Sequence, residues 1–250
     1  MIDHSNMKLG RKALVQDSRT LKMATYLTGS LPPNPPSIDW SKGVSEWGMM
    51  LNDQLGCCTI AGCCHAIQVW SLNSGKEITL GNDIVLQKYE QWDGYNPANP
   101  ASDQGGVEIY VLNDWKNSDI NGHKLDGYTG INVKNIDEVR TAIHLFGGVY
   151  IGISLPLSAQ TQNEWDIVSP SSPQTIAGSW GGHCVYVCGY DQHGFTCITW
   201  GQLKKMTLGF WENYVDEAYA LVGQDWFNQQ GIAPDGFNLS QLQQDLMQIR

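Results

Sequence analysis

The stretch from Asn52 to Gly62, NDQLGCCTIAG, sets two thiols side by side, Cys57 and Cys58, where a helical pattern is about to begin. A thiol in the first turn of a buried helix meets unpaired backbone N–H groups and the positive end of the helix dipole, and both favour thiolate over thiol. By position, Cys58 is the candidate nucleophile. Its chemistry needs a histidine that takes the proton and later returns it, and among the 6 histidines His183, in SWGGHCVYV, is the best placed. Gly181 and Gly182 beside it leave room for a substrate. A side-chain amide just upstream of the cysteine, together with the cysteine's own N–H, would hold a tetrahedral oxyanion.

The other thiols and imidazoles read more plainly. Cys57, Cys63 and Cys64 are small core residues, and Cys184, Cys188 and Cys197 lie in apolar strand-like sequence. The group Cys57, Cys58, Cys63, Cys64 and His65 lacks the ligand spacing and the distant second pair of a zinc site, so neither a metal nor a cofactor is expected. His65 reads as a satisfied or partly exposed helix residue, and His123, His144 and His193 as surface or turn residues. His4 falls in what reads as a flexible start.

These residues need elements to position them. From Cys58 to about Ser71, apolar or small residues occupy nearly every position, which predicts a helix buried on all sides, stopping near Asn73 and Gly75. Further helices are expected over Ile84 to Trp92, Val107 to Ser118 and Ile136 to Phe146, the last ending at Gly147 and Gly148. Strands are expected over Val149 to Leu155, His183 to Asp191 and Phe195 to Gly201, with two more in KKMTLGFW and EAYALV. The segment Leu31 to Ser37, LPPNPPS, reads as a linker or surface strap, and the tail NLSQLQQDLMQI as a short amphipathic helix. Helices first and strands second imply an α+β chain.

Composition bounds the partners. With 250 residues, 42% of them hydrophobic, the chain can build an ample core, and its formal charge of -10 repels phosphate backbones and anionic membranes. Nucleic acid and membrane are not expected partners. The first twenty residues carry neither a signal-peptide pattern nor a membrane span. The 7 cysteines are an odd number, and crowding four of them into residues 57–64 does not make a disulfide framework. A reducing compartment, the cytoplasm, is the expected location, with a virion or delivery without a signal peptide left open.

The order IDW, NDQLGCCT, DQGG, AIHLFGGVYIGI, GGHCVYVCGYD and TWG resembles the layout of papain-like cysteine peptidases over roughly residues 37 to 201. The resemblance implies an α+β, two-lobed fold with the site in the cleft between a helical lobe and a β-barrel-like lobe. It divides the chain into an N-terminal extension and proline-rich strap (1–36), the papain-like domain (37–224) and a C-terminal tail (225–250). The helical lobe covers about 58–146 and the β lobe about 147–223, with the segment before Cys58 crossing back to the β lobe. Anchored on Asp39 and Trp40, the family's spacing falls on Cys58 as nucleophile and Asn52 as oxyanion donor. Gly105 and Gly106 become the wall along which a peptide or protein substrate pairs, Asp103 lies near its rim, and Trp200 shields the histidine.

Two departures follow. Ile198 stands where the family has the asparagine that orients the histidine, which leaves Thr199, a water or a backbone carbonyl to hold the imidazole. The stretch before residue 37 is shorter than the family's inhibitory propeptide, so zymogen control is not assigned. The reading is hydrolysis of peptide bonds through an acyl-enzyme, with acyl transfer to an amine a close variant. A weak or inactive relative that grips peptides is the alternative, favoured by Ile198 and Asn52. A redox or metal protein using the paired cysteines is a third. Substrate preference and oligomeric state are not legible.

Overall fold

In the computed structural model the residues described are 3–25, 33–227 and 233–234. The tail NLSQLQQDLMQI, expected to form a helix, lies outside them. Antiparallel strands make one sheet in the order β2 (Leu125–Gly130), β7 (Val215–Gly223), β3 (Val149–Leu155), β4 (Gly181–Tyr190), β5 (Gly194–Thr199) and β6 (Gln202–Thr207), with the two-residue β1 (Ile38–Asp39) joining β4 from the side. Among the described residues the sheet runs from β2 to β6 without those edges pairing. It is therefore open, a correction to the barrel-like lobe expected above.

Alternation along the strands gives the sheet two apolar faces. Tyr150, Cys184, Tyr186, Cys188, Ile198, Tyr219 and Leu221 join a core with α1 (Cys58–Ser74), α2 (Asn82–Asp93) and α3 (Glu108–Asn117). Their neighbours Ile151, Ile153, Val185, Val187, Cys197 and Ala220 join a second core with α4 (Ile136–Phe146) and α5 (Leu208–Tyr214). α4 thus packs on the sheet, although sequence order grouped it with the helical lobe.

Helix α1 lies at the centre of the first core. Every residue from Cys58 to Ser71 is buried, as its all-round apolar pattern requires. Gly62 is where α1 meets the sheet most closely, since a Cβ there would come within 2.9 Å of the Tyr150 ring. Helix α4 is capped at its start by the Asn135 side chain, which accepts from Glu138 N–H, and ends on Gly147 at φ 76°.

Three elements differ from expectation. KKMTLGFW is not one strand, because β6 stops at Thr207, whose side chain caps α5 by accepting from Phe210 N–H. β2, an edge strand inside the helical half, pairs with β7 and was not foreseen. The start of the chain is also ordered. His4 is 1% exposed and stacks on Trp200 at 5.1 Å between ring centroids, so it is not part of a flexible start.

Candidate active site

Two turns deliver the predicted residues. Met50 and Leu51 take left-handed backbone, φ 53° and 60°, a conformation that costs a side-chain-bearing residue about 1 kcal/mol or more. They turn the chain so that Asn52, 3% exposed, comes in beneath the start of α1. Cys57 is the residue before the helix and hands its thiol to Met50 carbonyl at 3.3 Å. Cys58 is the first helical residue and is fully buried. Across from it, His183 lies near the start of β4, also fully buried, with its ring stacked on Trp200 at 4.6 Å and 16° between planes. Trp200 is itself held in left-handed backbone at φ 47°.

The backbone N–H of Cys184, the residue after His183, lies against the Cys58 sulfur, and so does that of Gly10. His183 Nε2 meets Thr199 Oγ1 at 2.7 Å, while Nδ1 is buried with no hydrogen-bond partner among the described residues. Hence Cys58 and the His183 segment adjoin, and no hydrogen bond links thiol to imidazole in this closed arrangement. Ile198 turns the other way, into the core around α1. Strand alternation therefore takes position 198 away from the histidine and aims the Thr199 hydroxyl at it.

Residues 4–12 explain the closure. His4 N–H donates to Gln160 carbonyl at 2.9 Å, Lys8 N–H to Asn52 carbonyl at 3.2 Å, Arg11 N–H to Gly182 carbonyl at 3.0 Å, and Lys12 N–H to Gly106 carbonyl at 2.8 Å. Gly106 N–H donates in turn to Gly10 carbonyl at 2.8 Å, so Arg11 and Gly106 form an isolated parallel β-bridge. Farther on, Gly130 N–H reaches Leu21 carbonyl at 2.7 Å. The N-terminal segment is a strap through the cleft. It passes Asn52, Cys58, the Gly105–Gly106 wall and Gly182 before reaching the β2 edge. Glycine makes the approach feasible on both sides: a Cβ on Gly10 would lie 1.7 Å from Gly56 carbonyl oxygen, and one on Gly105 1.7 Å from Gly10 carbonyl oxygen. The extension is short, yet its residues 8–12 are bonded to Asn52, Gly106 and Gly182.

Burial sets the charge states. Desolvation pushes the Cys58 thiol up to about 12, despite the opposing Cys184 and Gly10 N–H groups. Desolvation, then the nearby charge of His65, brings His183 down to about 3. Under the strap the pair is neutral thiol and neutral imidazole, not the thiolate that the helix dipole alone suggested. The Asn52 amide donates to Leu55 carbonyl at 3.2 Å and to Lys8 carbonyl, on the strap, at 3.4 Å.

The remaining candidates settle as follows. His65 is 2% exposed, its Nε2 3.0 Å from Gly48 carbonyl. Asp103 does more than line a rim: it accepts from Gly56 N–H at 2.9 Å and from Tyr89 hydroxyl at 2.6 Å, and Tyr89 oxygen accepts from Gly105 N–H at 2.9 Å. That relay ties the turn before Cys58 to the glycine wall. All 7 cysteines are free, and among the described residues no three His, Cys, Asp or Glu side chains converge as a metal site. None of the described helices is long and apolar enough to cross a membrane.

Sequence reasoning missed Arg11. Its guanidinium enters a buried cluster of Glu108, Asp216 and Glu217, and nothing in a lone Gly-Arg-Lys announces partners 205 and 206 residues away.

The sequence matches no protein-family model, and no curated protein matches it. Solved structures do. The cysteine protease xylellain from Xylella fastidiosa superposes with a TM-score of 0.53 at 16% identity, over 88% of this chain and 98% of that one. Digestive procathepsin L 3 of Tenebrio molitor gives 0.55 at 16%, over 86% and 76%. The bromelain protease of Ananas comosus gives 0.52 at 14%, over 75% and 99%. The likeness extends over most of the length of each partner.

Proposed function

We propose that this chain, papain-like in fold, is a thiol hydrolase that cleaves peptide bonds once its N-terminal strap has left the cleft. One observation carries the reading. Cys58 opens a buried helix with its sulfur against the backbone next to His183, whose far nitrogen is held by Thr199.

With the strap gone, water and substrate reach both groups, and the desolvation that keeps them neutral is relieved. The His183 nitrogen left without a partner, Nδ1, takes the Cys58 proton. The sulfur attacks the substrate carbonyl, and the negative oxygen is met by Cys58 N–H and the Asn52 amide, which now grips a strap carbonyl. His183 protonates the departing amine. Water then hydrolyses the thioester with the same imidazole as base, restoring the thiol. Thr199, bonded to Nε2, holds the ring with Nδ1 on the other side. Gly105 and Gly106, which already pair with one extended segment, pair with the substrate. Trp200 keeps water off the imidazole face.

The test is site-located alkylation by iodoacetamide together with peptide hydrolysis, on the full chain carrying Arg11→Ala, which removes the ion cluster that holds the strap. Cys58 is expected to be modified selectively, with the selectivity lost in His183→Ala, and Cys58→Ala is expected to lower hydrolysis by about 10⁴-fold or more. Modification no faster than that of an ordinary free thiol, unaltered by His183→Ala, would rule the reading out. It would favour the second one, a peptide-gripping module without catalysis, for which the filled cleft and the neutral Cys58–His183 pair speak.

A further inference from the structure

The strap's side chain at residue 11 occupies a pocket that is built more carefully than a plug requires. Arg11 Nη2 lies 2.5 Å from Asp216 Oδ1 and 2.7 Å from Glu217 Oε2, Nη1 3.3 Å from Asp216 Oδ2, and Nε 3.3 Å from Glu108 Oε1. Its own side chain is 2% exposed; those of Glu108 and Glu217 are 0% and 3% exposed, and that of Asp216, at the mouth, is 42% exposed. The carboxylates are held by other residues. Tyr219 hydroxyl donates to Glu217 at 2.6 Å and Ser154 hydroxyl to Asp216 at 2.6 Å. Neither oxygen of Glu108 has a well-formed hydrogen bond, although its carboxylate points at the guanidinium and the Cys184 thiol lies nearby.

The walls also come from the cleft. Glu108 stands two residues beyond Gly106 in the first turn of α3, and Gly182, which accepts from Arg11 N–H, precedes His183. Gly152 leaves the passage open, since a Cβ there would lie 2.2 Å from Arg11 Nε. Removing the strap would leave buried carboxylates facing one another without a cation, which is costly. Burial, then the charge of Glu217, already drives the Glu108 carboxyl well above its usual range, with Arg11 opposing.

From this geometry we infer that the pocket of Glu108, Asp216, Glu217 and Gly152 is a specificity pocket for an arginine side chain of the substrate, and that Arg11 is its resident stand-in. The inference rests on the hydrolase reading for the word substrate. A planar guanidinium matches the fork of Asp216 and Glu217 with parallel N–H groups, whereas an ammonium meets them as one point charge. An apolar side chain would leave all three carboxylates unpaired.

The experiment uses the full chain carrying Arg11→Ala and three probes, N-acetyl-arginine amide, N-acetyl-lysine amide and N-acetyl-leucine amide, with Tm as the readout. The arginine amide is expected to raise Tm by about 5–10 °C at a hundredfold excess over its Kd. The lysine amide should act less and the leucine amide not at all, and the wild-type protein, its pocket filled, should respond to none. Adding Glu217→Gln should shrink the arginine response. Equal shifts with arginine and leucine amides, or no shift with arginine, would overturn the pocket. If Arg11→Ala does not fold alone, it is refolded with each amide present: recovery with the arginine amide only supports the pocket, and recovery with none or with all three overturns it. Since Tm does not involve Cys58 or His183, an arginine-selective shift without His183-dependent alkylation would keep the pocket and remove the hydrolase. Selective alkylation without an arginine preference would do the reverse.

Discussion

Two extended segments from the N-terminal part of the chain lie against strand β4, and they are held by opposite kinds of contact. Near its end, β1 pairs Ile38 with Tyr190 and Asp39 with Gly189. Trp40 secures it by donating its indole N–H to Ile143 carbonyl at 2.8 Å and meeting Trp226 edge-on at 5.1 Å. Near the start of β4, the strap is held by backbone hydrogen bonds to Gly182 and Gly106 and by the Arg11 ion cluster. Apolar anchoring of the first kind has no substitute in solution. Polar pairing of the second kind can be taken over, bond for bond, by an incoming peptide. That difference marks the β1 segment as architecture and the strap as an occupant of the cleft.

The largest expected effect lies on the β1 side. Trp40→Ala should cost about 3 kcal/mol of global stability, the low end of the usual range for a large aromatic because the ring is half-buried. Denaturant unfolding measures it, and alkylation of Cys58 in the folded variant should stay at the wild-type rate. A Trp40→Ala protein that exposes Cys58 at full stability would mean that the two segments are not separate devices.

Acid should distinguish them next. Under the strap His183 accepts a proton only near pH 3, whereas an exposed imidazole does so near 6.5. Between those values the open state binds a proton that the closed state refuses, so falling pH favours opening, by at most tenfold per pH unit. From pH 6.5 to 4.5 the ceiling is about 100-fold. Cys58 mirrors this in alkali: its closed-state value of about 12 lies above the ordinary 9.0, so opening is favoured again above pH 9. Hydrogen exchange offers a direct comparison, because the Lys12 amide bonds to Gly106 and the Trp40 amide to Cys188 at 3.0 Å. After correction for intrinsic rates, protection at Lys12 should fall with acid while that at Trp40 holds. Parallel loss at both would contradict the local opening.

What the sequence made legible follows the same division. Apolar periodicity located α4 at its full extent and α1 to within a few residues, because burial of a continuous face writes itself into neighbouring positions. The aromatic run LGFWENY concealed α5, a helix of 7 residues too short to show a period, although Thr207 three residues before Phe210 was an available capping signal. The strap was illegible for a physical reason. Its contacts are backbone to glycine and charge to charge, with partners supplied by α3, β4 and β7, and no local pattern encodes them. Cys58, His183 and the Gly105–Gly106 pair were singled out through motif order alone. The bond from Thr199 to the imidazole needed the pleat, which turns Ile198 into the α1 core.

The smallest expected effect tests that pleat. Thr199→Val removes the hydroxyl from His183 Nε2 and keeps the shape of the side chain. The cost should be about 1 kcal/mol of stability, the net worth of one hydrogen bond, rising toward 2 if the buried nitrogen finds no water. A hydroxyl can donate as well as accept, unlike the carbonyl of an asparagine, so Thr199 orients the ring without dictating which nitrogen carries the proton. Its loss should therefore lower the rate of Cys58 alkylation or hydrolysis by about tenfold, on the scale of 1.4 kcal/mol, with Thr199→Ser recovering most of it. The acid-dependent exchange at Lys12 should persist in Thr199→Val, because it depends on burial of the imidazole and not on its tether. If Thr199→Val left the rate untouched while Ile198→Asn increased it, position 198 would hold the ring after all, and the strand alternation that aims Thr199 at His183 would not describe the working site.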